Sequence, residues 1–145
     1  MNKNILIKKN KIIILILTCL ISINYIIGCK KQDNYRNEIN NFIQQNSSLL
    51  EELIDNEKPI PTKLTGIYYN EWSVEHPMYE IILHTYGNNY YGCYYSPDNV
   101  PLAFQNTDIE LKQIDKNTWI WKSVGDNHGE TIKIKDKWFY FMASF

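Results

Sequence analysis

The segment 79–95 has the sequence YEIILHTYGNNYYGCYY. Two runs rich in β-branched and aromatic residues surround the turn Gly87-Asn88-Asn89, whose residues tolerate the positive φ angles of a tight turn. A connection this short can join only antiparallel neighbours. The segment therefore predicts a β-hairpin, and the sequence on either side of it continues the same pattern.

Short β-rich runs alternate with turn clusters throughout residues 64–145. The turns Asp115-Lys116-Asn117 and Gly125-Asp126-Asn127 again favour tight antiparallel connections. Because no helix-length stretch interrupts the series, we predict a mainly β domain at 62–145. Its expected architecture is an antiparallel meander that forms a small closed or partly open barrel. Strands are predicted at 65–70, 79–86, 89–95, 101–105, 107–114, 118–124, 131–135 and 138–144.

Alternation along these strands predicts which side chains share a face of the sheet. Ile81 should point to one face, and Ile82 and His84 to the other. Other sets expected to share a face are Tyr79 with Ile81 and Leu83, Ile109 with Leu111, Trp119 with Trp121, Ile132 with Ile134, and Trp138 with Tyr140 and Met142.

Two glycines, Gly66 and Gly92, stand inside predicted strands. Glycine at such a position commonly marks a bend, a bulge or the close approach of another backbone. Gly66 and Tyr68 also resemble the Gly-x-Trp opening of lipocalins, with tyrosine in place of tryptophan. The resemblance implies a barrel whose interior holds a small apolar molecule.

One amphipathic helix is predicted at 35–57, before the β domain. It should end before Pro59, because proline cannot continue a helix. We favour the interpretation that the apolar stripe of this helix packs on the β domain. The alternative is a coiled-coil seam through which two copies of the helix associate weakly, with Asn46 as the buried polar residue that fixes register and pairing. The stripe follows alternating steps of four and three residues, the spacing of one helix face, and comprises Tyr35, Ile39, Phe42, Ile43, Asn46, Leu49, Leu50, Leu53 and Ile54.

Residues 1–28 have the order of a secretory signal peptide, with a lysine-rich start followed by an apolar run. The run spans 16 residues, fewer than the about 20 that a bilayer-spanning helix needs. It ends in Ile26-Ile27-Gly28-Cys29, which resembles the lipobox of bacterial lipoproteins. The resemblance implies that residues 1–28 are removed, that Cys29 carries the lipid, and that 29–34 form a short tether. An uncleaved membrane anchor is the alternative.

The net charge of the chain indicates which kind of partner to expect, and the cysteine count indicates whether a disulfide can form. The chain has 15 basic and 16 acidic residues; the signal removes four lysines and no acid, which leaves a net charge of −5. A mildly acidic domain without a basic stripe argues against nucleic acid as a partner. Cys19 leaves with the signal and Cys29 carries lipid, so Cys93 has no partner within the chain. Without lipid on Cys29, a bridge between Cys29 and Cys93 would be the alternative.

No pattern in the mature chain points to a metal, a cofactor or a nucleophile. His76, His84 and His128 lack metal-ligand spacing, and residues 126–130 are better interpreted as a hairpin tip than as a cation site. No serine lies in a Gly-x-Ser-x-Gly setting. We therefore expect no cofactor and a non-catalytic protein. Acids that could still meet in space to hydrolyse a sugar are Glu71, Glu75, Glu80, Asp98 and Glu110.

The longest predicted connection, 70–78, carries Trp72, Glu75 and His76, and Tyr69 precedes it. Aromatic residues fall on both faces of successive strands, so some rings should be exposed or covered by the helix. Exposed tyrosine and tryptophan suit recognition of protein or sugar. We therefore predict these four residues as partner contacts. The alternative is that Trp72 closes the open end of the barrel.

These patterns predict a lipid-anchored protein of the bacterial cell envelope, exposed to the periplasm or the cell surface. Its β domain is expected to act as a non-catalytic binding module for a protein or a glycan. A lipocalin-like carrier of a small apolar molecule is the alternative, and a cavity lined rather than filled by aromatic rings would favour it. A small envelope hydrolase is a third hypothesis, which two facing acids would favour.

Overall fold

The computed structural model describes residues 32–60, 68–72 and 75–145. The predicted signal peptide, Cys29 and residues 65–67 of the first predicted strand therefore lie outside the described residues. Residues 32–55 are helical and are called α1 here. The strands are β1 Tyr68–Trp72, β2 Met78–Tyr86, β3 Asn89–Tyr95, β4 Lys112–Asp115, β5 Thr118–Lys122, β6 His128–Lys135 and β7 Trp138–Ser144, with a 3₁₀ turn at Phe104–Asn106.

Helix α1 includes residues 32–34, which we predicted as part of the tether. Polar residues can extend a helix once an apolar face has formed it, because each added residue contributes a further backbone hydrogen bond. Within the described ranges, no helix is both long and apolar enough to cross a lipid bilayer.

The described strands form one antiparallel sheet in the order β1-β2-β3-β7-β6-β5-β4. The mainly β class and the single preceding helix are thus confirmed. The described sheet is not closed into a barrel, because β1 and β4 are its two edges. The single meander is also wrong, since β3 pairs with β7. Two meanders, β1–β3 and β4–β7, lie side by side instead.

Two predicted strands differ from the structure. The strand at 101–105 is wrong, because this stretch runs without ladder pairing into the turn at Phe104–Asn106. The strand at 107–114 is reduced to β4, which begins only at Lys112. Pro101 has no N–H to donate to a ladder, which explains why the chain does not add a strand there.

The connection 96–111 crosses one face of the sheet, and its middle is buried there. Leu102, Ala103 and Phe104 are all buried. Hydrogen bonds to side chains replace a ladder: the N–H of Leu102 donates to the Tyr94 hydroxyl at 2.8 Å, and the Thr131 hydroxyl donates to the Leu102 carbonyl at 3.0 Å. The backbone polar groups of Leu102 are thus satisfied in the interior, as burial requires.

Both faces of the sheet are buried, and each has its own core. One face, called the connection face, packs against the connection 96–111, and the other, called the helix face, packs against α1. The connection-face core comprises Met78, Ile82, Tyr94, Leu102, Ala103, Phe104, Trp121, Phe139, Phe141 and Ala143. The helix-face core comprises Ile39, Ile43, Leu50, Ile81, Tyr91, Cys93, Tyr95, Trp138 and Tyr140.

The predicted packing of the helix stripe on the β domain is confirmed except at Leu49, which is exposed. Ile39, Ile43 and Leu50 are completely buried in the helix-face core. Polar contacts fix the same interface: the Trp138 indole N–H donates to Glu51 at 2.6 Å. Asn46 donates its amide to the Phe42 carbonyl within α1 at 2.9 Å. Self-association through residues 35–57 stays a prediction.

We expect Ile43→Ala to lower the free energy of unfolding by about 2–4 kcal/mol, because it removes buried methyl groups and leaves a cavity under α1. Leu49→Ala is the matched control, since Leu49 is 46% exposed on the same helix. The measurement is urea unfolding of the full chain in nonionic detergent, followed by tryptophan fluorescence. Equal losses in the two variants would contradict the packing of this stripe on the sheet.

For the sets of residues named above, strand alternation predicts the faces correctly except at His84. The sheet skips Leu83, because Ile82 pairs with Gly92 and His84 with Tyr91. Such a bulge shifts the alternation by one residue. His84 therefore stacks on Tyr35 of α1, with ring centroids 4.3 Å apart, and lies on the helix face. The predicted placement of His84 beside Ile82 is wrong for this reason.

Candidate functional site

Two open clefts meet at Tyr90, on the connection face at one end of the sheet. One, of about 450 Å³, is lined by Asn70, Ile82, Thr85, Gly87 and Tyr90. The other, of about 420 Å³, is lined by Asn88, Tyr90, Phe104, Gln105 and Phe145. Both volumes fall in the range of small-ligand pockets, about 300–1,000 Å³. We call the pair the Tyr90 clefts.

The hairpin turn at Gly87 and the 3₁₀ turn place these residues together. Gly87 has a φ of +58°, and no atom lies within 4 Å of a Cβ added there, so the turn leaves open space beside the cleft. The N–H of Phe145 donates to the Asn88 carbonyl at 3.1 Å, which holds the end of β7 against the β2–β3 turn. The site thus rests on backbone geometry at one end of the sheet.

Three rings form the floor of the second cleft. The Tyr90 centroid lies 5.5 Å from that of Phe104 and 6.0 Å from that of Phe145, and the Phe104 and Phe145 centroids are 5.3 Å apart. Phe145 remains 45% exposed. Rings at these separations support one another in tilted and edge-to-face contacts. The cleft therefore offers a preformed and partly exposed aromatic surface.

Amide groups border the same surface. Asn88 and Gln105 line the second cleft, and within the described part of the chain their side-chain amides form no hydrogen bond. Each amide carries two donors and one acceptor oxygen. The clefts therefore combine an apolar ring surface with hydrogen-bonding groups of both kinds that are free to pair with a ligand.

A buried carboxyl lies behind the clefts. Glu80 is completely buried and accepts three hydrogen bonds: from the Gln105 N–H at 3.1 Å, and from the Asn70 amide and the Trp72 indole N–H at 3.4 Å each. Burial raises the pKa of the Glu80 carboxyl above its usual range, and the three donors oppose that rise.

Glu80 holds the turn that carries Gln105. Gln105 and Asn106 have φ angles of +55° and +51°, a conformation that costs energy in residues other than glycine. The Gln105 N–H is bonded to Glu80, and the Asn106 amide donates to the His76 carbonyl at 2.7 Å. Glu80 is therefore a positioning residue for one wall of the Tyr90 clefts.

The structure places the predicted contact residues in different surroundings. Trp72 is partly buried against the connection-face core and bonded to Glu80. Glu75 and His76 are exposed, and the His76 Nδ1 atom lies 2.8 Å from an Asp98 carboxylate oxygen. Tyr69 pairs with Ile81 in the sheet. The side chain of Tyr69 is not among the described parts of the structure. The proposal that these residues contact a partner stays a prediction.

Other chemically capable groups do not converge on the clefts. Burial raises the pKa of the Cys93 thiol, so this free cysteine stays protonated in the helix-face core. His128 Nδ1 lies 2.7 Å from the Asp126 carbonyl in the β5–β6 hairpin. Among the residues that the structure describes, no group of three or more His, Cys, Asp or Glu side chains could hold a metal ion.

A third cleft, of about 520 Å³, lies beside the end of α1 and is lined partly by Ile54, Ile60 and Tyr79. Its charged lining residues, Glu57 and Glu71 among them, are exposed. No hydrogen bond between described residues fixes either carboxylate. Exposed charges that no hydrogen bond holds provide no preorganised geometry, so we base no site on this cleft.

Sequence reasoning missed the Tyr90 clefts. Tyr90 and Gln105 meet only because the connection 96–111 crosses the sheet face, whereas the sequence predicts a strand there. The Gly87-Asn88 turn was the available signal, since it marks one end of the sheet. No protein-family model matches the chain, and comparisons with curated proteins and with solved structures find no significant match.

Proposed function

We propose that this chain is a lipid-anchored protein of the bacterial cell envelope whose β domain binds a ligand at the Tyr90 clefts without transforming it. The observation that carries the binding role is the partly exposed aromatic surface of Tyr90 and Phe145, packed on the buried Phe104. Beside it lie the side-chain amides of Asn88 and Gln105, which form no hydrogen bond within the described part of the chain. Preformed clefts with a few convergent polar groups are typical of ligand sites.

The lining chemistry supports binding rather than catalysis. The described side chains that line the two clefts are amide, hydroxyl or apolar groups, and none is a carboxyl, imidazole, thiol or ammonium group. General acid–base chemistry uses such groups within reach of the substrate. Glu80 is bonded to three donors behind the cleft wall, where it positions Gln105.

The packed interior favours recognition at the surface over the lipocalin-like carrier. Tyr94 stacks on Phe139 with centroids 5.0 Å apart, and Phe104 lies 5.4 Å from Phe141. These rings fill the connection face instead of lining a space. A ligand is thus expected to bind at the rim of this core, where Tyr90 and Phe145 are accessible.

The anchor rests on the lipobox-like segment that ends at Cys29. Each buried methylene of an acyl chain adds about 0.8 kcal/mol, so two or three chains hold a protein stably on a membrane. We expect labelled palmitate to enter the wild-type protein in a bacterial host and not the Cys29→Ser variant. Mass spectrometry should find Cys29 at the amino terminus. An unlabelled protein that retains residues 1–28 would contradict the anchor.

Photo-crosslinking tests the binding role. The full chain in detergent, with Asn88→p-benzoylphenylalanine, is irradiated with isolated envelope material. Lys116→p-benzoylphenylalanine is the control, because Lys116 is exposed in the β4–β5 turn at the other end of the sheet. A saturable crosslink from position 88 alone would support the proposal. Equal crosslinking from both positions, or none from position 88, would overturn it.

A further inference from the structure

We infer that the ligand of the Tyr90 clefts is a neutral oligosaccharide of at least two pyranose rings, which lies across Tyr90 from one cleft to the other. This inference rests on the proposed function and names the chemical class of the ligand.

The juxtaposition of rings and amides favours a sugar. A pyranose has an apolar face of C–H groups and an equatorial edge of hydroxyls, each of which can donate and accept a hydrogen bond. The rings of Tyr90 and Phe145 can pack against the C–H face. The free amides of Asn88 and Gln105 carry both donors and acceptors, as a hydroxyl edge requires.

The absence of charge favours a neutral ligand. Among the described residues that line the two clefts, no side chain is acidic or basic. A phosphate or a carboxylate group would therefore lose hydration without gaining an ionic partner, which is costly. The buried Glu80 behind the wall adds a further penalty for anions wherever it is ionised.

The arrangement of the two clefts sets a minimum length for the oligosaccharide. Asn70 and Thr85 belong to the first cleft and Asn88 and Gln105 to the second, and only Tyr90 belongs to both. A single ring placed in one cleft leaves the polar groups of the other unused. A chain of two or more rings can use both, with the tyrosine at the junction.

An extended peptide fits the same place less well. Peptides that bind to sheets gain most of their affinity by pairing with a free strand edge. Tyr90 lies on β3, which is paired with β2 on one side and with β7 on the other. The backbone at Tyr90 therefore has no free ladder to offer. Among the described lining residues only Asn70 lies on an edge strand, β1, and in the second cleft recognition must come from side chains.

Titration calorimetry of the full chain in detergent tests the inference. The probes are cellotetraose, chitotetraose, the two corresponding monosaccharides, tetragalacturonate, and an uncharged Gly-Ser-Tyr hexapeptide. We expect at least one neutral tetrasaccharide to bind about tenfold or more tightly than its monosaccharide, and more tightly than tetragalacturonate and the peptide. Absence of binding by both neutral tetrasaccharides at about 10 mM, or tighter binding of the peptide, would overturn the inference.

Variants locate the binding. Tyr90→Ala should lower the affinity for the tetrasaccharide by about tenfold or more, whereas Tyr90→Phe should retain most of the affinity because the ring remains. Tyr86→Ala is the matched control, since Tyr86 belongs to the same hairpin and is 59% exposed outside the clefts. Asn88→Ala removes an exposed side chain without touching a core, and it should weaken binding several-fold. Unchanged affinity in both Tyr90→Ala and Asn88→Ala would contradict the site.

The two proposals fail in different ways. A saturable crosslink from position 88 to protease-sensitive material, with no binding of the neutral tetrasaccharides, would contradict the inference that the ligand is an oligosaccharide. It would still support the proposal that the β domain binds a ligand at the Tyr90 clefts. No saturable crosslink from position 88 would overturn the binding module itself.

Discussion

The substitution Gly92→Ala is expected to lower the free energy of unfolding by about 3 kcal/mol or more. A Cβ at this position would clash with the Ile81 carbonyl oxygen and lie 2.8–2.9 Å from two atoms of the Phe141 ring. Both neighbours are fixed, the first by the β2–β3 ladder and the second by complete burial. Elsewhere in a strand the same change would be mildly stabilising.

Gly125→Ala is the matched control for this prediction. Gly125 has a φ of +72° with nothing within 4 Å of its added Cβ, so only backbone strain of about 1 kcal/mol is expected there. Urea unfolding of the full chain in nonionic detergent compares the two variants. Equal losses of unfolding free energy would show that Gly92 is not closely approached by β2 and β7.

Substitution of Glu80 should give the second large effect. Glu80→Ala leaves the Gln105 N–H, the Trp72 indole and the Asn70 amide without their acceptor, and it opens a cavity. Unsatisfied buried donors cost about 1–3 kcal/mol each when water cannot reach them. Because Asn70, Trp72 and Gln105 are only partly buried, water can replace part of the lost acceptor, and we expect a loss of about 2–4 kcal/mol of unfolding free energy. Glu80→Gln keeps one acceptor and fills the space, so its loss should be smaller.

Glu80 also predicts a pH dependence of stability. Its folded-state pKa is raised by burial above the ordinary value of 4.5, so the folded state binds more protons than the unfolded state between these two values. Stability therefore falls as pH rises through this window, by at most about 1.4 kcal/mol per pH unit. Its contribution is fully present below pH 4.5 and lost above the raised pKa.

The difference in unfolding free energy between wild type and Glu80→Gln isolates this carboxyl, because all other titrating groups are shared. The wild type should lose stability relative to Glu80→Gln as pH rises from 4.5. A difference that stays constant, or one that grows in favour of the wild type, would show that the folded-state pKa is not raised.

Much of the fold follows from local patterns in the sequence. The run 89–95 and the Gly87-Asn88 turn predict β3 and its hairpin, because turn geometry and β-rich composition agree there. The stripe through Ile39 and Ile43 predicts the buried face of α1, because helical spacing fixes which side chains lie together. In each case neighbours in sequence are neighbours in space.

The remainder depends on long-range packing. The connection 96–111 contains alternating apolar residues, as a strand does, yet its apolar groups are buried across the sheet face rather than in a ladder. Pro101 is a local signal against ladder pairing, but nothing local shows that the chain crosses the sheet face instead. The pairing of β3 with β7, and the meeting of Tyr90 with Gln105, both follow from this crossing. The clefts could not be predicted for the same reason.

The most direct test of the binding role is nuclear magnetic resonance of the full chain in detergent micelles, titrated with solubilised envelope fragments. Saturable shifts are predicted for the side-chain amides of Asn88 and Gln105 and for the Tyr90 ring, with the Tyr86 ring unchanged. Saturable shifts confined to the helix face, or no shifts at any of these three residues, would contradict the account.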